Sequence, residues 1–273
     1  MHLTEEQIYR YSRHILLPEV GGAGQEKLLK SKVFCVGAGG LGSPIALYLV
    51  AAGVGTLGIA DCDTVDISNL QRQVLHYTED IGKPKTESAR EKLEKLNPDV
   101  NIILHNGLIT KDNIRGIIRD YDIVVDGSDN FPTRYLVNDA CYFEKKTLVS
   151  GAIFQFEGQV AVFKPHTGGA CYRCLYPELP PQGLIPNCQE AGILGAAAGA
   201  IGTMQAIETL KQILGIGEPL TDRLLVFDAL KMTFDSVNIK KTSECLLCGE
   251  NPSIRGVEDI SQPDCDFESP PIF

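Results

Sequence analysis

The chain has no tryptophan, no excess of positive charge and no long hydrophobic run. Its longest uncharged apolar stretch, Ala191–Ile207, is short for a membrane span and rich in glycine and alanine. Such a stretch suits a buried core or subunit-interface helix, so no membrane partner is expected. With 25 Lys and Arg against 35 Asp and Glu, the formal net charge of −10 argues against an extended nucleic-acid face and leaves room only for a local basic patch. No apolar segment follows a basic start, so no secretory signal is expected and a cytoplasmic setting is. Nine cysteines in that reducing setting point to metal binding by cysteine pairs rather than to disulfides.

What is present is an ordinary globular composition, 44% hydrophobic and 22% charged, in a chain of 273 residues that can bury a full core. The stretch that organises it is Val33–Gly42, VFCVGAGGLG: an apolar strand, a glycine-dense turn and the start of a helix in Ser43–Ala52. Gly37-Ala38-Gly39-Gly40-Leu41-Gly42 fits G-x-G-x-x-G in the strand-to-helix context that the motif needs. Glycines let backbone N–H groups approach an anion, and the helix N-terminus adds partial positive charge. A nucleotide is therefore expected at this turn, the bland alternative being a tight turn without a ligand.

Alternating patterns follow. Thr4–Leu17, opening on the capping-box sequence Thr4-Glu5-Glu6-Gln7, predicts an amphipathic helix, and Gly21–Gly24 reads as a break. Thr56–Ala60, Val100–Leu104, Asp122–Asp126 and Thr147–Ser150 read as strands, with helices at Thr86–Leu96, Lys111–Arg119 and Pro132–Phe143. That alternation implies a parallel sheet with right-handed crossovers. From Ile153 the pattern becomes antiparallel, with a turn near Glu157-Gly158 and later strands at Leu224–Val226 and Thr233–Ile239. The expected fold is a Rossmann-like α/β mixed sheet, parallel in its first half and antiparallel in its second. It divides into an N-terminal helical arm (1–30), the Rossmann-like domain (31–250) and a C-terminal tail (251–273). The proline-rich Pro177–Pro186 reads as a crossing loop.

Cys171-Tyr-Arg-Cys174 and Cys245-Leu-Leu-Cys248 are two C-x-x-C knuckles, which together offer the four-thiolate shell that Zn²⁺ favours. A four-cysteine site leaves no open position, so this zinc is expected to be structural. Cys188 follows the proline-rich loop just before the Gly-Ala helix and is a candidate nucleophile. Cys265 falls in the acidic tail Glu258–Phe273, which reads as a disordered terminus.

Five further motifs bring recognition: RYSRHI at Arg10–Ile15, VGAGGLGSP at Val36–Pro44, DCDTVDISNLQRQ at Asp61–Gln73, GKPK at Gly82–Lys85 and GSDNFPTR at Gly127–Arg134. With the cysteine knuckles and CQEAG at Cys188–Gly192, the chain resembles the ThiF/MoeB/HesA adenylyltransferases, relatives of the ubiquitin-activating enzymes, over about residues 4–250. The resemblance implies ATP-dependent adenylation of a small ubiquitin-like sulfur-carrier protein ending in Gly-Gly. It implies phosphate binding by Arg72 and Lys85, a contribution of Arg13 to the neighbouring subunit of a homodimer, and Mg²⁺ held by a catalytic Asp129. It also implies ribose binding by Asp61, with Gly40, Asn69 and Asn130 near the nucleotide.

Cys188 matches the position at which thiamin-type members link covalently to the carrier; molybdopterin-type members have a cysteine there too. The chain is too short for the rhodanese domain that some relatives append, so a separate sulfur donor, a cysteine desulfurase or a rhodanese, is expected. Taken singly, Arg13 and Lys85 could be solvated surface charges and Asp129 a helix cap. The competing functions are an NAD-dependent oxidoreductase, which leaves Arg72, Lys85 and Asp129 unexplained, and a tRNA-base dehydratase of the same superfamily, which the −10 charge disfavours.

Overall fold

The computed structural model describes residues 3–180 and 191–260. Its centre is an eight-stranded sheet in the order β3-β2-β1-β4-β5-β6-β7-β8. Strands β1 (Lys32–Val36), β2 (Thr56–Asp61), β3 (Asn101–Asn106), β4 (Ile123–Asp126) and β5 (Thr147–Phe154) are parallel. Strands β6 (Glu157–Phe163), β7 (Arg223–Asp228) and β8 (Thr233–Asn238) extend the sheet antiparallel. The mixed sheet read from the pattern is the one adopted.

Strands β1 and β4 are buried along their length except for Lys32, because helices cover both faces. Helices α4 (Gly42–Ala51), α5 (Lys85–Leu96) and α9 (Gly195–Leu214) lie on one face, where Ile45, Leu49, Leu57, Leu93 and Ile201 share a core. Helices α6 (Ile114–Ile118), α7 (Phe131–Phe143) and α8 (Tyr172–Leu175) lie on the other, around Phe34, Val124, Tyr135 and Phe163. A wholly buried side chain such as Leu49 or Phe34 stabilises the fold by about 1.5–3 kcal/mol. Part of Ala191–Ile207 enters α9, which buries Ala197, Ala198 and Ile201; no helix among the described residues is long and apolar enough to cross a membrane.

Several boundaries differ from the sequence reading. Gly21–Gly24 is the first turn of α3 (Gly21–Lys30) and not a break. A Cβ added to Gly24 would lie 3.0 Å from Val20 Cγ1 and 3.1 Å from Leu214 Cδ2, so this glycine permits close packing against the end of α9. The leading helix is split into α1 (Glu5–Arg10), with the Thr4/Gln7 capping box, and α2 (Ser12–Ile15). Between them Tyr11 turns inward, where its hydroxyl accepts a 2.8 Å hydrogen bond from Asn97 Nδ2. Strand β5 runs four residues past Ser150, and the reversal falls at Gln155-Phe156, with Gln155 at φ 53°. Helix α6 is shorter than Lys111–Arg119. The tail also returns to the body: Val257 is buried, and the Lys111 N–H donates to Asp259 Oδ1 at 2.9 Å.

Candidate functional site

Strand β1 lies between β2 and β4, and the chain builds first to one side of it and then to the other. At such a switch point the loops leaving the carboxyl ends diverge and open a crevice. Here they are the glycine turn after β1 and Gly127–Asn130 after β4. They meet closely: a Cβ on Gly37, which has φ 92°, would lie 3.1 Å from the Gly127 carbonyl oxygen. The crevice is a cavity of about 220 Å³, walled by both loops, the β2 end at Asp61–Asp63, Arg72, Lys85 and the lip Gly107–Ile109.

The glycines do different work. A Cβ on Gly42 would fall 1.9 Å from the Gly37 carbonyl oxygen, so Gly42 is needed to close the turn onto α4. Gly39 and Gly40 face the cavity, and side chains there would meet nothing in the chain nearer than 3.5 Å and 3.6 Å. Packing alone therefore does not require glycine at these two positions. A ligand approaching the backbone would, because a Cβ would fill the space it needs.

Asp61 is held at the end of β2 by two backbone donors, the Ala38 N–H at 2.8 Å and the Asp63 N–H at 2.9 Å. One acidic side chain thus ties the glycine turn to the β2 loop while facing the cavity. Opposite it, Lys85 opens α5 and is buried, its Nζ 2.7 Å from Asp63 Oδ2. Arg72 stands half-buried on the 62–84 loop, its Nη1 donating to Ser68 O at 2.9 Å and Gln71 Oε1 at 3.1 Å. That loop is shaped by Asp66, whose Oδ1 accepts from the Ser68 N–H and hydroxyl at 2.8 and 2.6 Å. These two hydrogen bonds hold the exposed Asp66 carboxyl below its ordinary pKa.

Past β4, Asn130 caps α7 by accepting from the Thr133 N–H at 2.9 Å. The cap is therefore Asn130, and Asp129 beside it is exposed at the cavity wall without that duty. Deeper in the same wall, Arg134 donates from Nη2 to the Ser128 carbonyl at 3.1 Å. Asp126 lies beneath, fully buried, and burial raises its carboxyl pKa against the opposing pull of Arg134. Of the buried side-chain polar atoms without a hydrogen-bond partner among the described residues, three, Gln73 Oε1, Ser128 Oγ and Arg134 Nε, belong to residues that line the cavity. Polar atoms left so are satisfied by a polar occupant.

The cavity thus gathers Gly40, Asp61, Arg72, Lys85, Asp129 and Asn130. It does not include Asn69, whose Oδ1 turns back to accept from the Asp66 N–H at 3.4 Å. Arg13 is exposed on α2 and lines no part of it. Cys188 and Cys265 lie outside the described residues. Sequence reading missed Arg134, although it ends the motif GSDNFPTR, and missed the lip Gly107–Ile109, which carries no signal of its own.

The four knuckle cysteines converge far from one another in sequence. Their Sγ atoms all lie within 4.8 Å of one another, with Cys171–Cys174 at 3.9 Å, Cys171–Cys245 at 3.6 Å and Cys174–Cys248 at 3.4 Å. Tetrahedral Zn²⁺ with sulfur ligands at about 2.3 Å needs sulfurs about 3.8 Å apart, so donor set and spacing fit zinc. The Cys248 N–H also points at Cys245 Sγ, at 3.5 Å, as thiolate-stabilising knuckle amides do. Between the first pair, Arg173 bolts the knuckle to α7 through two bonds to Asp139, at 2.8 and 2.7 Å.

The profile of the ThiF family matches residues 11–247. A sulfur carrier protein adenylyltransferase of Thermus thermophilus is 49% identical over 95% of this chain and 97% of its own. A SAMP-activating enzyme E1 of Haloferax volcanii is 48% identical over 95% of each. The adenylyltransferase and sulfurtransferase MOCS3 of Aedes aegypti is 48% identical, and this chain spans 60% of its length. Among solved structures, a crystal structure of E. coli MccB superposes with a TM-score of 0.75 at 23% identity, covering 89% of this chain and 74% of that one, a likeness of fold.

Proposed function

This chain belongs to the ThiF family of E1-like adenylyltransferases, and from that premise we propose that its cavity activates the C-terminal Gly-Gly carboxylate of a ubiquitin-like sulfur-carrier protein with ATP. The observation that carries the reading is the pairing of two cations, Arg72 and Lys85, with two acids, Asp61 and Asp129, around one glycine turn.

In this reading the ribose hydroxyls donate to Asp61, whose position is already fixed by the Ala38 and Asp63 amides. The phosphates lie against the turn and between Arg72 and Lys85. An incoming carboxylate and the α-phosphate are both anionic, so the reaction needs fixed positive charge to offset their repulsion and the charge that spreads as the bond to phosphorus forms. Arg72 and Lys85 supply it. A carboxylate oxygen of the carrier attacks the α-phosphorus, and the bond to the bridging oxygen of the β-phosphate breaks. Pyrophosphate leaves with that electron pair, and the carrier keeps AMP as a mixed anhydride. Asp129, exposed at the wall and not occupied as a cap, would hold Mg²⁺, which neutralises phosphate charge when bound.

Arg13 serves the site of a second copy in a homodimer. The apolar side chains Ile8, Tyr9, Leu16 and Leu17 on the same arm are exposed, and burial against that copy would remove them from water. A cysteine desulfurase or rhodanese supplies the sulfur in this reading, and Cys188 is the residue proposed to link covalently to the carrier, because it matches the cysteine that does so in thiamin-type relatives. Carrier-dependent exchange of labelled pyrophosphate into ATP tests the reading: exchange that needs the carrier supports it, and its absence with a Gly-Gly carrier present refutes it.

A further inference from the structure

His76 is buried, lines no part of the cavity, and takes no part in the adenylation scheme. Both ring nitrogens are nevertheless engaged. Nε2 lies 2.9 Å from the Ala38 carbonyl oxygen, and Nδ1 lies 2.8 Å from Ser88 Oγ on α5. A carbonyl can only accept, so Nε2 carries the proton and Nδ1 accepts from the Ser88 hydroxyl. Ser88 is held in turn: Lys92 Nζ is 3.2 Å from its oxygen and pairs with the buried Asp80. Burial first, and then Lys85, hold the His76 pKa below the ordinary imidazole value, against the Ala38 carbonyl, Asp61 and Asp80.

Ala38 is the second residue of the glycine turn, and its two backbone groups are gripped from different elements. Its N–H goes to Asp61, its carbonyl to His76. The peptide joining Ala38 to Gly39 is planar and trans, so its C=O and N–H point in opposite directions. Fixing the carbonyl toward the interior therefore turns the Gly39 N–H the other way, and Gly39 lines the cavity. Glycine on the far side of that peptide leaves it free to rotate unless something holds it.

We infer that His76 is a positioning residue for nucleotide binding: through its bond to the Ala38 carbonyl it locks the Ala38–Gly39 peptide with the N–H presented to the phosphate. Ser88, itself contacted by Lys92, holds the other nitrogen and so keeps the ring aimed at the carbonyl. The inference rests on the cavity being the nucleotide site and names the residue outside it that fixes the turn.

The test is equilibrium binding of ATP to the full chain, with steady-state exchange kinetics on the same preparations. His76→Leu should raise the Kd for ATP about tenfold and the KM for ATP with it, leaving kcat within about threefold, as expected for loss of one buried hydrogen bond that orders the turn. His76→Gln, whose amide N–H can reach the Ala38 carbonyl, should restore binding to within about threefold of the unaltered protein. A purely structural role would instead reduce the active fraction, lowering kcat at unchanged Kd, and that result overturns the inference. So does wild-type ATP affinity in His76→Leu. Should His76→Leu fail to fold, Ser88→Ala decides, because it removes the contact that holds the ring's other nitrogen and with it the ring's aim at the Ala38 carbonyl: weaker ATP binding supports the inference and unchanged binding overturns it. Failure of the unaltered protein to bind ATP would overturn the nucleotide reading itself, and the inference with it.

Discussion

Lys85 Nζ stands 2.7 Å from Asp63 Oδ2, with the lysine side chain only 6% exposed and the aspartate 62% exposed. The buried cation thus holds an acid at the cavity mouth, where phosphates can replace it. Lys85→Ala should lower carrier-dependent pyrophosphate exchange at least ~100-fold, the usual loss on removing a preorganised charge from a transition state. Asp63→Asn keeps the cation but leaves a buried ammonium without its carboxylate. Its thermal midpoint should fall by about 2–4 °C, and saturating ATP should recover most of that loss. An unshifted midpoint would mean the pair is idle.

Asp129 and Asn130 are adjacent, yet only Asn130 caps α7. Asp129→Ala should therefore abolish exchange with the thermal midpoint unchanged. Asn130→Ala should cost about 1 kcal/mol of stability through the lost cap. Equal destabilisation by both, measured by denaturant unfolding, would contradict this division.

The parallel half of the sheet was legible because β1 and β4 are short apolar runs closed by turn residues, and burial on both faces writes itself as an unbroken run. Of the candidate site, the glycine turn was legible from its own spacing, and Arg72, Lys85 and Asp129, which line the same cavity, only through the family resemblance that their motifs carry. Other features depend on distant partners and leave no local trace. Gly24 is a glycine because Leu214 comes to lie against it. The Asp259 carboxylate meets the Lys111 backbone N–H only after the chain has returned from the cysteine knuckles. Nothing in the local sequence marks His76, because its partners Ala38 and Ser88 belong to other elements.

Arg13 acts across subunits in this account. Mixing Arg13→Ala with Asp129→Ala protein under exchange of subunits should restore about a quarter of the wild-type activity, since half the dimers are hybrids and each has one complete site. No recovery, with hybrids confirmed by native mass spectrometry, would place Arg13 in its own subunit's chemistry, and full activity of Arg13→Ala protein alone would place it outside the chemistry.

Zinc analysis of protein purified without chelator should find about one ion per chain, and Cys245→Ser should lose it together with much of the thermal stability. Less than about half an equivalent in the unaltered protein would contradict a four-thiolate site.

Burial lowers the pKa of His76, His105 and His166. For these groups the unfolded chain binds protons more readily than the folded one, so stability is retained above the unfolded value of about 6.5 and declines as pH falls below it. Unfolding free energy should therefore drop between pH 7.5 and 5.5, about the window set by that pKa, and drop less in His76→Gln. A flat profile would contradict the neutral, buried imidazole.

In the proposed reaction the carrier becomes an acyl-adenylate in this cavity. Intact-mass analysis of a Gly-Gly carrier incubated with the protein, ATP and Mg²⁺ measures it most directly. The expected result is a carrier species heavier by one adenylyl group, that is AMP less one water, localised to the terminal carboxylate, discharged by hydroxylamine, and absent when the last glycine is removed. Pyrophosphate release without any such adduct, or an adduct on the truncated carrier, would contradict it.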